Sequence, residues 1–146
     1  LPANIDAARI RGVESTAMLA LSGWQLQTGL TFQNAENRAP GSDYGKQLAR
    51  RPKVAGHVDV ERIIAGWHVG ARLVTEGSRY DDATNSRLLR RYTTVDLRAD
   101  YELNSAWRVQ ARAANLLDAQ HETVAFYNQA GRALYMTMRY AGGGAR

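Results

Sequence analysis

Residues 24–33 read Trp-Gln-Leu-Gln-Thr-Gly-Leu-Thr-Phe-Gln, and the large apolar side chains of this stretch fall on alternate positions. Successive side chains of a β-strand point to opposite faces. An extended chain therefore places Trp24, Leu26, Leu30 and Phe32 on one face and the three glutamines on the other. The stretch predicts a β-strand with one oily face and one polar face.

Two further tryptophans repeat this arrangement along the chain. Trp67 and Trp107 follow Trp24 at intervals of 43 and then 40 residues, each after a short turn and each opening another alternating run. A period of this length fits two strands, one tight turn and one long loop. The repeat predicts a chain of hairpins that all turn in the same way.

The alternation predicts an all-β chain, an antiparallel up-and-down meander of about seven strands. We place these strands at residues 9–21, 24–37, 53–62, 67–76, 92–103, 107–116 and 133–140. Ile10 is out of phase with its strand, which predicts a bulge near Gly12. The connections are alternately short and long. We expect residues 1–140 to form one sheet domain and the Gly-rich residues 141–146 to be disordered.

The pattern of strands is typical of a partial transmembrane β-barrel. Only 45% of the residues are hydrophobic and no apolar run approaches the roughly 18 residues of a spanning helix. Short periplasmic turns alternating with long extracellular loops are the topology of outer-membrane barrels. Aromatic residues gather at the membrane interfaces, which predicts a periplasmic aromatic girdle of Trp24, Trp67, Trp107, Tyr101 and Tyr140. A soluble sandwich explains the alternation, but not the tryptophans at turn exits.

Charge and residue types exclude several other classes. The net charge is +5, but basic residues alternate with carboxylates along the strands, which favours a polar barrel interior over a nucleic-acid surface. The chain has no cysteine, so it has no disulfide, zinc-thiolate site or thiol nucleophile. An odd number of strands indicates part of a larger barrel, because single-chain bacterial barrels have even numbers.

Few residues suggest catalytic or metal chemistry. His57 and Asp59 share the polar face, where we expect a hydrogen bond inside the barrel and no metal. Asp81, Asp82 and Asn85 offer oxygen atoms without the spacing of a calcium loop. No Gly-x-Ser-x-Gly elbow is present. We therefore expect no catalytic residue, no cofactor and no bound metal, and an outer-membrane enzyme is the least favoured alternative.

Several stretches, in order, resemble the C-terminal end of TonB-dependent outer-membrane receptors, most closely the vitamin B12 (cobalamin) receptor branch. The resemblance extends over about residues 4–140 and rests on residues 4–14, 78–82, 92–98, 114–118, 121–124 and 127–132. Two features depart from the family pattern. Leu117 and His121 stand where the family commonly has aromatic residues, and six residues follow Tyr140.

The resemblance implies a 22-stranded barrel that is plugged by an N-terminal domain and takes up a scarce nutrient, a corrinoid or a metal chelate. Its partners would be outer-membrane lipid and TonB, which would contact the plug; we expect the plug and the export signal to lie outside this chain. A siderophore receptor and a passive porin remain alternatives. Aromatic and arginine side chains dominate binding hot spots, so the candidate ligand contacts are the loop residues Tyr44, Arg50, Tyr80, Arg87, Tyr127 and Asn128.

Overall fold

The computed structural model describes residues 6–142, and every regular element in this range is a β-strand. The strands are β1 (Ala8–Leu21), β2 (Trp24–Asn37), β3 (Val54–Ile64), β4 (Trp67–Glu76), β5 (Arg79–Tyr80), β6 (Leu88–Leu89), β7 (Tyr92–Glu102), β8 (Trp107–Ala114), β9 (Glu122–Val124), β10 (Tyr127–Asn128) and β11 (Ala133–Tyr140). Four of them, β5, β6, β9 and β10, are short and lie within the long loops.

The seven long strands form one antiparallel sheet in the order β1-β2-β3-β4-β7-β8-β11. This confirms the predicted meander of seven strands. The first two short turns are built alike, since Ser22 and Gly23 have φ values of 49° and 79° and Ala65 and Gly66 have values of 50° and 83°. Positive φ at both central residues is the type I′ turn, whose twist matches that of the flanking strands.

Three details of the strand assignment were wrong. No bulge interrupts β1, because its register with β2 is unbroken from end to end. Gly12 serves a close approach instead, since a Cβ there would clash with the carbonyl oxygen of Phe32. Strand β3 continues to Ile64, which leaves a turn of two residues, and β8 already ends at Ala114.

The end of the chain lies mostly outside the described residues. Ala141 donates a backbone hydrogen bond to the carbonyl oxygen of Ala106 at 2.8 Å, so it continues the pairing beyond β11. Residues 143–146 are not described. The expected disorder of the Gly-rich tail therefore stays a prediction.

The register displaces each tryptophan by two residues relative to the one before. Along the hydrogen-bonded register, the residue of β4 that corresponds to Trp24 is Val69, two positions after Trp67. In the same way the residue of β8 that corresponds to Trp67 is Val109, two positions after Trp107. Two residues rise about 6.6 Å and two strand spacings are about 9.6 Å. The three tryptophans thus share one level when the strands tilt by about 35°, a tilt that membrane barrels have.

The apolar face of the sheet is uncovered. Val13, Phe32 and Met136, on three different strands, are 68%, 52% and 79% exposed. A soluble sandwich would cover such a face with a second sheet, but within residues 6–142 these side chains have no such layer. No helix in this range is long and apolar enough to cross a membrane. The apolar face therefore needs its cover from outside the chain.

Ion pairs between different strands line the polar face of the sheet, three of them between neighbouring strands and one, Arg98–Glu61, across β4. They are Arg72–Asp59, Arg98–Glu61, Arg112–Asp96 and Arg108–Glu102. Exposed pairs of this kind add little stability each. Their effect is to pair the charges on the polar face of the sheet, opposite the apolar face.

The His57 side chain packs against the neighbouring strand β2. Its ring lies over Gly29, where a Cβ would come within 2.5 Å of the His57 Cε1 atom. Asp59 instead accepts a hydrogen bond from Arg72 at 3.4 Å. Within residues 6–142 no hydrogen bond joins His57 to Asp59, and the hydrogen bond expected of His57 inside the barrel stays a prediction.

Candidate ligand-binding loops

The three long loops leave the same end of the sheet, opposite the short turns. We name them loop A (residues 38–53), loop B (77–91) and loop C (115–132). Loop A folds back onto β2, because the Gly45 amide donates to the Asn37 carbonyl at 2.8 Å and the Leu48 amide donates to the Ala35 carbonyl at 2.9 Å. The buried apolar side chains in residues 6–142 lie here and not in the mid-sheet: Ala35, Leu48, Leu89 and Ala125.

Loops A and B are held together by side-chain and backbone hydrogen bonds. The Asn85 amide accepts from the Gln47 backbone N–H at 2.9 Å and donates to its carbonyl at 2.8 Å. The Arg50 side chain donates to Asp81 at 2.7 Å, and its backbone N–H donates to the Tyr80 carbonyl at 2.6 Å. The two loops therefore form one connected layer.

Asp82 closes the turn of loop B. Its carboxylate accepts hydrogen bonds from the Thr84 hydroxyl, from the Ser86 amide at 3.0 Å and from the Arg87 amide at 2.8 Å. These hydrogen bonds, first that of Thr84 and next that of Ser86, hold the pKa of Asp82 well below its usual range. With Asp81 bound to Arg50, both neighbouring carboxylates serve the structure of the loop.

Arg79 joins loop B to loop C and to the sheet. Its side chain is only 4% exposed. The guanidinium lies 5.6 Å from the centre of the Tyr92 ring, and Nη2 donates to the Glu122 carbonyl at 3.4 Å. Nη1 is 2.9 Å from a Glu76 carboxylate oxygen, without hydrogen-bond geometry. A buried arginine requires such partners, so Arg79 has a structural role.

Asn115 forms the base of loop C. It is 6% exposed and has a φ of 48°. Its amide nitrogen donates to the carbonyls of Ala119 at 3.1 Å and Ala130 at 3.2 Å, and its amide oxygen accepts from the Ala119 N–H at 2.9 Å. Asp118 accepts from the Arg132 N–H at 2.8 Å. Residues 114–118 therefore hold the two ends of loop C together.

His121 replaces a commonly aromatic residue and keeps an aromatic contact. Its imidazole stacks on the Tyr92 ring, with 4.0 Å between the ring centres and 27° between the planes. Its Nδ1 lies 3.0 Å from the Ala119 carbonyl oxygen. The departure from the family pattern leaves the packing of this position intact.

The tip of loop C exposes two neighbouring aromatic residues. Phe126 is 77% exposed and Tyr127 is 69% exposed. Phe126 has a φ of 70°, a conformation that bulky residues rarely adopt. The Arg87 guanidinium of loop B lies 4.9 Å from the centre of the Phe126 ring. An arginine and two exposed rings thus meet where loops B and C touch.

The sequence of this chain matches a described protein family. The family is "TonB dependent receptor-like, beta-barrel", and the match extends over residues 1–116, more than three quarters of the chain. The chain belongs to this family. Its members are barrels of the bacterial outer membrane that act as transport receptors. The apolar face of the sheet consequently faces lipid and the polar face lines the barrel interior.

Sequence relatives agree with this family, and solved structures share the fold. The vitamin B12 transporter BtuB of Photobacterium profundum is 33% identical over 140 residues, and that of Vibrio cholerae is 29% identical over 143 residues. These matches cover 96% and 93% of this chain. The siderophore receptor PiuA of Acinetobacter baumannii aligns with a TM-score of 0.80 at 21% identity, over 91% of this chain and 22% of that chain. The ferric yersiniabactin receptor FyuA of Yersinia pestis aligns at 0.77 and 17%, over 91% and 23%.

The chain spans about a fifth of these receptors. It covers 22% of the length of both BtuB relatives. In a receptor barrel the short turns are periplasmic and the long loops extracellular. Loops A, B and C accordingly form part of the outer mouth of the receptor barrel.

The structure divides the six predicted ligand contacts of the receptor into three groups. Arg50 and Tyr80 are tied to each other through the backbone, and Arg50 is also bound to Asp81. Tyr44 is 57% exposed, and its hydroxyl accepts from Arg38 at 3.1 Å. The remaining three, Arg87, Tyr127 and Asn128, lie at the meeting point of loops B and C.

Sequence reasoning missed three residues of this receptor mouth. Phe126 was overlooked although it stands next to Tyr127, and two adjacent aromatic residues in a long loop were a usable signal. Arg79 and Asn115 belong to the recognised family stretches, but their burial depends on contacts with distant residues. The sequence identified them as part of the family pattern without indicating that they are buried and hold the loops together.

Proposed function

We propose that this chain forms the C-terminal wall and three extracellular loops of a receptor that takes up a corrinoid such as vitamin B12. The supporting observation is the 33% identity to a vitamin B12 transporter over 96% of the chain. PiuA and FyuA are 21% and 17% identical and support the fold alone. The loop layer supplies a surface suited to such a ligand.

The proposed contact surface is the junction of loops B and C. A corrinoid offers a broad ring system edged with amide groups. Exposed rings of Phe126 and Tyr127 can pack against its apolar faces, while Arg87 and Asn128 can donate hydrogen bonds to its amide oxygens. Because loops A and B are bonded together, Tyr44 and Arg50 join the same layer from the other side.

Energy coupling in this proposal requires parts of the receptor beyond this chain. Uptake would depend on a plug domain inside the barrel and on its contact with TonB. The wall provided here is anchored by the proposed girdle of three tryptophans with Tyr101 and Tyr140, whose rings stack on Trp67 and pack against Trp107, each at 4.7 Å between centres. Aromatic belts hold a barrel at a defined height in the bilayer.

A binding titration with the full-length receptor tests this proposal. Cyanocobalamin and a ferric siderophore would be titrated separately against the purified protein. Phe126→Ala should raise the Kd for cyanocobalamin about 5- to 30-fold, the effect of removing an aromatic hot spot of about 1 to 2 kcal/mol. Leu117→Ala is the matched control, because Leu117 is also in loop C and 60% exposed; its Kd should not change.

Each result has a definite meaning. Binding of the siderophore without binding of cyanocobalamin would overturn the corrinoid assignment. Passive conductance of small solutes through the full-length protein would overturn coupled uptake. An equal loss in the Phe126 and Leu117 variants would remove the loop B–loop C junction as the contact surface.

A further inference from the structure

One of the three tryptophans has a different partner from the other two. Trp67 is in register with Tyr101 and Trp107 is in register with Tyr140, and both pairs bring their rings to 4.7 Å. The residue in register with Trp24 is Arg62, whose guanidinium carbon lies 5.0 Å from the centre of the Trp24 ring. An arginine thus replaces a tyrosine in the first copy of the repeat.

Arg62 is a charge on the lipid-facing side of the sheet. It lies on the same face as Val58 and Val60 of β3. Within residues 6–142 it has no carboxylate partner. The other charged side chains of this face in the long strands lie at the loop end: Arg9, Arg11 and Glu36. An arginine at the interface reaches the headgroup layer with its charge while its stem stays in the apolar zone. Lipid phosphate is the anion available there.

An apolar groove begins at Trp24, the aromatic partner of this arginine. It has a volume of about 430 Å³, and small side chains form its floor: Val69, Ala71, Ala99, Ala111 and Ala113. Larger side chains, including Trp24, Leu97 and Leu134, stand at its margins. We call this feature the alanine groove.

The alanine groove climbs from the interface into the membrane. Its lower end is Trp24, and the residues in register with Trp24 on the following strands include Val69 and Ala111. Ala111 lies four residues beyond Trp107 on β8, so the tilted strand raises it about 11 Å above the tryptophan level. A hydrocarbon chain that starts near Arg62 and follows the groove therefore runs from the headgroup layer towards the bilayer centre.

We propose that Arg62, Trp24 and the alanine groove bind one phospholipid of the periplasmic leaflet. The guanidinium pairs with the phosphate, and the Trp24 ring holds the guanidinium in place by a cation–π contact. One acyl chain lies in the groove. Lipid tails are as apolar as the groove, so the phosphate contact supplies the selectivity and the groove supplies the shape. The site requires no corrinoid and is independent of the nutrient that the receptor carries.

The experiment counts the lipids that the full-length receptor retains. The purified protein, stripped of native lipid in detergent, would be mixed with palmitoyl-oleoyl phosphatidylglycerol or with palmitoyl-oleoyl glycerol, which lacks the phosphate. Native mass spectrometry then gives the number bound. Arg62→Tyr restores the pairing seen in the other two repeats, so the girdle keeps an aromatic pair. It should retain one phosphatidylglycerol fewer than the unaltered receptor, with no change for the neutral lipid.

Two further variants separate charge from shape. Ala111→Phe fills the groove without touching the charge; it should lose the same single lipid, and combining it with Arg62→Tyr should lose no second one. Arg108→Gln is the matched control, because Arg108 is a strand arginine near the same end but on the polar face. It should retain the full number. Heat-modifiable migration on gels verifies the folded barrel, and Arg62→Gln supplies the same comparison if the tyrosine impairs folding.

Three outcomes would overturn the proposal. The first is an unchanged phosphatidylglycerol count in both Arg62 variants. The second is an equal loss in Arg108→Gln, which would indicate general charge attraction. The third is displacement of the lipid by millimolar inorganic phosphate, which would indicate a site for free anions.

Discussion

Replacing Leu97 by arginine places a positive charge on the lipid-facing side of β7. Leu97 is 44% exposed and lies four residues from Tyr101, the predicted girdle residue of the same strand. Four residues of a strand tilted by about 35° rise about 11 Å. The apolar band of an outer-membrane barrel is about 25 Å tall, so Leu97 lies close to its middle.

The expected effect follows from this depth. An arginine facing lipid at the midplane destabilises a barrel by about 2 to 4 kcal/mol, and near the interface by about 0 to 1 kcal/mol. At about 1.4 kcal/mol per tenfold change, Leu97→Arg should lower the folding equilibrium constant roughly 30- to 700-fold. Tyr101→Arg should lower it much less, because the side chain can reach the headgroup layer.

The assay is equilibrium folding of the full-length receptor into lipid vesicles across a urea series, read by heat-modifiable gel migration. Thr94→Arg is the control on the polar face of the same strand and should destabilise by about 1 kcal/mol or less. Asp96 is unsuitable as a control, since it pairs with Arg112 and accepts a hydrogen bond from the backbone N–H of Asn115 at 2.9 Å. Leu97→Ala separates the lost leucine from the added charge.

Two results would contradict the reasoning. Equal destabilisation by Leu97→Arg and Thr94→Arg would mean that the two faces are assigned wrongly. A larger loss for Tyr101→Arg than for Leu97→Arg would mean that the girdle is not at the interface.

Two predictions concern the loops. Asn115→Ala leaves three backbone groups of loop C without their partner, which should destabilise the loop locally by about 1 to 3 kcal/mol; hydrogen exchange of the loop C amides should speed up, while Asn128→Ala, at an exposed position, should leave the rates unchanged. The pKa of Asp82 is lowered in the folded loop, so its stabilising effect is complete above the unfolded pKa and is lost only as the pH falls towards the folded one. Protection of the Ser86 and Arg87 amides should therefore persist from pH 7 to pH 5 and disappear in Asp82→Ala; loss of protection within that pH window would refute the assignment.

The sheet could be predicted from the sequence because its determinants are local. Alternation with a period of two and turn residues such as Ser22 and Gly23 act within one hairpin. The position of each tryptophan after its turn then places the hairpins in the same orientation. The error at Gly12 arose because the close approach of Phe32 on the next strand cannot be read from the strand itself.

The loop structure could not be predicted in the same way. The contacts that order the loops join residues far apart in sequence, such as Gln47 with Asn85 and Arg87 with Phe126. No short-range pattern reports which loop touches which. The candidate ligand contacts were therefore chosen by residue type. The structure shows that Arg50 is bound to Asp81, whereas Tyr127 is exposed at the tip of loop C.

The bonding of loop B to both its neighbours makes the outer mouth a cooperative unit. Loop B is tied to loop A through Asn85 and to loop C through Arg79. The apolar residues with least exposure lie in this layer, whereas the mid-sheet residues depend on lipid. The loops should consequently open and close together in a local unfolding step whose free energy is separate from that of the barrel. A ligand that orders any one loop would then slow the opening of all three.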